Sequence, residues 1–247
     1  MKVFTFYYDR FDTATTSLAL SENKINHYVL CHDNAEKFSC IGKTGKLIQT
    51  NEPKGIQNNF NYALDMLEPN EWGIFMSDDY KYSKKFSASV SKYGKYVKCD
   101  MAYVLGQLVG TINSFDKLGF KLIGFVAYDN DTTYKKRYSK YGLVDGRAFA
   151  IKKTDFRYHK QITTIPDYYA TAWHLNKYGA NLIINYCMMD FKRYTKDGMG
   201  SEDSRLEAKI KEVALLKTMY PNMLRISNKK GTPYGSHVIF FKPTRSK

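Results

Sequence analysis

The chain is short of acid, of proline, and of cysteines placed to cooperate. Its 247 residues hold 24 Asp and Glu against 38 Lys and Arg, only six Pro and only four Cys. The cysteines, at 31, 40, 99 and 187, form no close pair and no zinc-like spacing, which argues against a disulfide-built scaffold or zinc ribbon. Reduced thiols in a cytosolic setting are expected, with a bridge between distant cysteines left open. No run of 18 apolar residues occurs anywhere, so neither a membrane-spanning helix nor a secretory leader is expected.

What is present supports a folded chain. Apolar residues at 43% are enough for a substantial core. The excess of bases, 38 minus 24, leaves a net charge of +14 that attracts polyanions in general: nucleotides, nucleic acid or an anionic membrane surface. A solubilising basic surface explains the same charge. The 21 Tyr and 15 Phe are stacking candidates and equally ordinary strand and core residues.

Along the chain, short apolar runs alternate with helical periodicities. Strands are expected at Val3–Tyr8, His27–Cys31, Trp72–Met76, Lys121–Ala127, Leu143–Ile151, Leu182–Cys187 and Val238–Phe241. Helices are expected from Ile56 to Leu67, after Asp100 through Phe115, from Pro166 to about Tyr178, and from about Asp203 to Met219. Gly42–Lys46 lacks the spacing of a phosphate loop and reads as a basic turn or hairpin. Lys81–Lys98, rich in Lys, Ser and Tyr, reads as a separator, and 128–140 as a polar excursion. Without a repeat or linker to divide it, the chain is expected to be one α/β domain with a mostly parallel sheet flanked by helices.

The sharpest chemical feature is Ser77–Asp78–Asp79–Tyr80, delivered by the apolar run Trp72–Met76. Carboxylates at the open end of a buried strand suit a hard divalent cation, which in turn neutralises a diphosphate. A capping Asp beside a solvated one is the alternative. Arg10, beyond the first strand, offers donors to phosphate or base carbonyl oxygens, or makes a surface ion pair. Asn58 and Asn59 carry amides on a periodic helix, one of them expected to be structural. Gly146 permits close backbone approach and Arg147 could hold a phosphate, with plain strand geometry the alternative. Arg205 follows a flexible segment that suits a diphosphate or acceptor loop, or a helix entry alone.

These motifs carry a resemblance. Tyr7–Tyr8–Asp9–Arg10 with Thr15–Thr16, Asn58–Asn59, Phe75 to Tyr80, Gly146 to Phe149, and Pro166–Asp167–Tyr168–Tyr169 before Gly179 resemble a GT-A-type glycosyltransferase. More narrowly, the chain is similar to the phage group that accompanies TET/JBP-type base oxygenases and modifies hydroxylated DNA pyrimidines. The resemblance implies one glycosyltransferase domain, with a nucleotide-binding half over about 1–130 and an acceptor half over about 131–247. It implies a nucleotide-sugar donor, UDP-sugar by default, and Mn2+ or Mg2+. It further implies modified double-stranded DNA as acceptor, in the host cytoplasm if the chain is phage-encoded.

By the same resemblance Asp79 is the preferred metal ligand, with Asp78 assisting or touching ribose; Ser77 stands where a DxD pattern has its first acid. Asp33 contacts the nucleoside, or caps a helix. Asp167 is the catalytic base that deprotonates the acceptor, although Pro166 occupies the place of a second acid; under a retaining outcome it orients sugar or acceptor instead. His237 is a third metal ligand by analogy with carboxyl-terminal histidines in some such enzymes. Two other readings stand beside this one: glycosylation of a carbohydrate, lipid or protein, and non-catalytic nucleic-acid binding.

Overall fold

The computed structural model describes residues 1–7, 14–32, 41–53, 55–89, 94–126, 137–192, 202–227 and 237–240; the side chains of 202, 203, 205, 227 and 237–240 lie outside the description. Apolar side chains set the central strands. β4 (Trp72–Ser77) is buried from Trp72 to Met76, an unbroken pattern that only a strand covered on both faces sustains. It lies between β1 (Lys2–Phe6), to which it is parallel, and β9 (Ala148–Lys152), to which it is antiparallel. β2 (His27–Cys31) and β3 (Gly45–Gln49) continue the parallel half, while β7 (Leu122–Phe125), β10 (Leu182–Ile184) and the short β8 (Tyr138–Ser139) complete the other. The order is β3-β2-β1-β4-β9-β7-β10-β8, with β9 and β8 reversed against the remaining six.

Helices cover both faces. One face carries stacked aromatics: Phe4, Phe6, Phe75 and Phe149 from the sheet meet Phe60 of α2 (Ile56–Asp65), and α4 (Pro166–Tyr178) and α5 (Glu202–Met219) pack over the same cluster. Phe75 and Phe149 are parallel, with ring centroids 5.3 Å apart. The other face joins Ile74, Met76 and Ile123 to Leu20 of α1 (Thr15–Glu22) and to Leu105 and Leu108 of α3 (Met101–Phe115).

Two sheets stand apart from the large one. β5 (Tyr80–Ser87) pairs antiparallel with β6 (Lys95–Cys99) and with β11 (Cys187–Phe191); β12 (Leu224–Ser227) pairs antiparallel with β13 (His237–Phe240). The lysine-rich separator expected at Lys81–Lys98 therefore contains a two-stranded ribbon. Among its described residues Ser83, Gly94 and Tyr96 are buried and the others partly or fully exposed, so an apolar alternation never forms.

Gly42–Lys46 likewise differs from a hairpin. The turn is there, with Gly42 at φ +71° and no room for a side chain against Ser21, but Gly45 opens a strand parallel to β2. Asp100 occupies the N-cap of α3 with no side-chain cap bond. The strand expected at Leu143–Ile151 starts only at Ala148, and Leu182–Cys187 divides between β10 and β11.

Candidate active site at the carboxyl edge of the sheet

β4 ends at Ser77, where the chain turns out of the large sheet and begins β5 at Tyr80. The turn's backbone is pinned by the start of α1. Thr16 donates its hydroxyl to the Ser77 carbonyl at 2.6 Å and its amide to the Asp78 carbonyl at 3.2 Å, and Tyr80 N–H donates back to the Thr16 hydroxyl at 3.0 Å. Thr15 Oγ1 also donates to the Asp78 carbonyl, at 3.2 Å. From the other sides, Ser77 N–H reaches the Arg147 carbonyl at 2.8 Å and Lys192 N–H the Asp79 carbonyl at 2.9 Å.

The turn's backbone is thus engaged from α1 and from residues flanking β9 and β11. Asp79 is buried and accepts the Ser77 hydroxyl at 2.8 Å; Asp78 is half-buried. The buried Tyr7 phenol lies near both, and its proton is held well above the usual phenol range by burial first and the two Asp charges second.

A second acidic group adjoins the turn at the entry to β9. Arg147 Nε donates to Asp145 at 2.9 and 3.0 Å, and its guanidinium lies 3.6 Å from Asp190 of β11. Arg147 therefore lies between two carboxylates whose charge balances its own. Beside it, Gly146 touches Asp167 so closely that a Cβ there would stand 2.7 Å from the Asp167 Cβ. Gly146 and Asp167 share a pocket of about 10 Å³ with Leu122, Val144, Phe149, Tyr158 and Ala170. That apolar lining, with the Asp145 charge second, pushes the Asp167 carboxyl up to about 7 against hydrogen bonds from the Tyr168 and Gly146 backbone.

Asp167 sits in the first turn of α4, and that helix end is held from α5. The buried Glu212 carboxylate accepts from the Thr163 amide at 2.9 Å and hydroxyl at 2.7 Å, the Thr164 amide and hydroxyl at 2.8 Å, and the Ile165 amide at 3.1 Å. Ile165 is the N-cap of α4 and Thr163 and Thr164 precede it, so a side chain far away in sequence fixes the approach to the helix together with its amino end.

At the β2–β3 edge the two asparagines part. Asn58 bonds the Pro53 carbonyl at 2.8 Å, a local structural role. Asn59 is fully buried, accepts the Thr50 hydroxyl at 3.4 Å, and keeps its Nδ2 without a partner among the described residues. Thr50 also meets His32 Nδ1 at 3.3 Å. A buried amide donor left open beside a strand's carboxyl end suits a ligand acceptor.

Of the residues singled out from sequence, Asp78, Asp79, Gly146, Arg147 and Asp167 come together along the β4–β9 edge, and Asn59 lies at the β2–β3 edge. Arg10 and Asp33 lie outside the described residues. Arg205 falls within α5, and His237 pairs with Ser227 in the β12–β13 hairpin, their side chains outside the description. Asp145, Asp190, Thr50, His32 and Glu212 were not legible as site residues. Only Asp145, two positions before Arg147, carried a local hint.

Among the described residues no group of three or more His, Cys, Asp or Glu is arranged to hold a metal, which leaves the Asp78–Asp79 pair. Two hard carboxylates suit Mg2+ or Mn2+ when water and phosphate oxygens complete the shell. No helix among the described residues is long and apolar enough to cross a membrane.

No protein-family model matches the chain, and no curated protein does. A solved structure described as "Crystal Structure of a Mycobacterial Protein" is similar in fold, with a TM-score of 0.55 at 10% identity, covering 98% of this chain and 83% of that one.

Proposed function

We propose that the chain is a nucleotide-sugar-dependent glycosyltransferase of GT-A type that moves a hexosyl group to a hydroxyl on a hydroxymethylated pyrimidine in double-stranded DNA. The observation that carries this reading is the pairing of two carboxylate environments on one sheet edge. Asp78 and Asp79 end a central parallel strand, and Asp167, with its proton affinity pushed up to about 7, lies across the neighbouring strand.

Chemically the two environments divide the work. Asp78 and Asp79 would hold Mn2+ or Mg2+ at the donor's diphosphate, and the cation supplies neutralisation of charge on that leaving group. Asp167 takes the proton of the acceptor hydroxyl as its oxygen bonds to the anomeric carbon. The bond from that carbon to the diphosphate breaks, and its electron pair leaves with the nucleoside diphosphate. A carboxylate whose pKa lies near neutrality is a far better base than one at the ordinary value. The open Asn59 amide supports a nucleotide contact, since a nucleobase carbonyl offers the missing acceptor. UDP-sugar as donor and DNA as acceptor rest on the sequence resemblance and on the net charge of +14.

The test incubates the protein with a panel of nucleotide sugars, Mn2+ or Mg2+, and duplex DNA with ordinary or hydroxymethylated pyrimidines, followed by intact nucleoside mass. A hexosyl increment on the modified base is expected, reduced at least ~100-fold in Asp79→Asn and in Asp167→Asn. Increment on a saccharide, lipid or protein alone rejects DNA as acceptor. DNA binding without donor turnover rejects the transferase in favour of a binding protein.

A further inference from the structure

The ribbon of β5 and β6 begins one residue beyond Asp79 and carries charge of one sign. Residues 80–99 include six Lys and no Asp or Glu. Pairing sets Lys84 directly opposite Lys98, so like charges are concentrated on the ribbon. Three ammonium groups converge on one ring: Lys81, Lys84 and Lys98 lie 5.4, 5.0 and 5.6 Å from the centre of Tyr82. The following residue, Lys85, turns to the α3 side of the strand and stands 5.1 Å from the ring of Tyr103, which is exposed on α3. Cation–π contacts hold these charges against ring faces on the ribbon.

We infer that this ribbon is a nucleic-acid-binding surface that takes the phosphate backbone of a DNA duplex and leads it to the acidic turn. β5 has eight residues, a length of ~26 Å, which matches about eight base pairs at ~3.4 Å each. Between Lys81 and Lys84 stand Tyr82 and Ser83, which stack and hydrogen-bond; Phe86, the one residue of Tyr80–Ser87 of a type that inserts into a lipid surface, instead packs on Tyr96 and the core beneath. Acids at the site itself repel phosphate, so a separate basic track beside them is what an anionic polymer needs in order to approach.

This inference rests on DNA as acceptor, and its test uses no donor sugar. Binding to a labelled 20-base-pair duplex is measured across a salt series for the unaltered protein and for the combined variant Lys81→Gln, Lys95→Gln and Lys98→Gln. The slope of log affinity against log salt is expected to become shallower by about three, with at least ~10-fold weaker binding near 0.1 M salt. The matching Lys→Arg variant is expected to keep both values. Lysine acetylation of the unaltered protein provides a reading free of folding effects: duplex should shield Lys81, Lys84 and Lys98 while Lys117 and Lys211 react as before. An unchanged slope, absent shielding, or attachment to phosphatidylserine vesicles without attachment to duplex overturns the surface. A protein that binds along the ribbon but turns over no donor keeps the surface and loses the transferase. One that glycosylates modified DNA with these lysines unshielded does the reverse.

Discussion

A half-buried carboxyl and a buried imidazole set opposite pH dependences at the residue scale. Asp167 holds its proton up to about 7, so between the ordinary carboxylate range and that pH the folded chain binds a proton that the unfolded chain has released. Stability from this group therefore falls as pH rises, and its penalty is complete above about 7. His174, buried among Phe156, Trp173 and Tyr178, is pushed down to about 4, mainly by burial. The unfolded chain binds that proton first, so stability from His174 is complete above the ordinary imidazole range and falls as pH drops toward 4. Over pH 4 to 6.5 the two slopes oppose each other. Asp167→Asn should unmask the His174 slope and gain stability over the unaltered protein as pH rises to 7, by at most ~4 kcal/mol and less for the carboxyl's partial contact with water. Urea unfolding at pH 5 and pH 8 checks this; a variant no more stable at pH 8 than at pH 5, relative to the unaltered protein, contradicts it. If Asp167 is the base, sugar transfer by the unaltered protein should rise through pH 7 and level off above it.

Among the elements, the start of α4 depends on α5. Glu212 accepts from the amides of Thr163, Thr164 and Ile165 and from both threonine hydroxyls, so removing it strands several buried or half-buried donors at once. Glu212→Ala should cost about 2–4 kcal/mol, read as a lower urea midpoint, with faster amide exchange at 163–165. Glu212→Gln retains an acceptor oxygen and should lose less. α4 itself was legible, because Pro166 opens it and Gly179, in the left-handed region, closes it. Its tether was not legible, because 46 residues separate Pro166 from Glu212 and nothing in either segment's periodicity refers to the other. The β5–β6 ribbon was missed for a different reason: outward-facing lysines interrupt the apolar alternation by which strands are recognised.

Across the whole molecule, the β4 strand joins stability to the site. Phe75 lies at the centre of the aromatic cluster, between Phe4 and Phe149, and is fully buried. Phe75→Ala should cost about 3–5 kcal/mol in unfolding free energy. A thermal melt and a far-ultraviolet spectrum distinguish that loss from the Asp79→Asn loss of activity, which should leave both close to the unaltered protein. The acid turn stands where it does because Trp72–Met76 is covered on both faces, so the first polar residues after it emerge at the sheet's edge.

The resemblance to GT-A enzymes singled out Asp167; local chemistry in the chain was enough to call for an α/β domain, to place the central strands and most helices, and to mark the Asp78–Asp79 turn. Each of those follows from neighbours a few residues away: an apolar run, a helical period, a proline at a helix start. Distant segments had to meet before Arg147 was seen between Asp145 and Asp190, Asn59 beside Thr50, Gly146 against Asp167, or Lys84 opposite Lys98. Such contacts depend on strand register and on which loops share an edge, and these are settled when side chains far apart in the chain pack into one core.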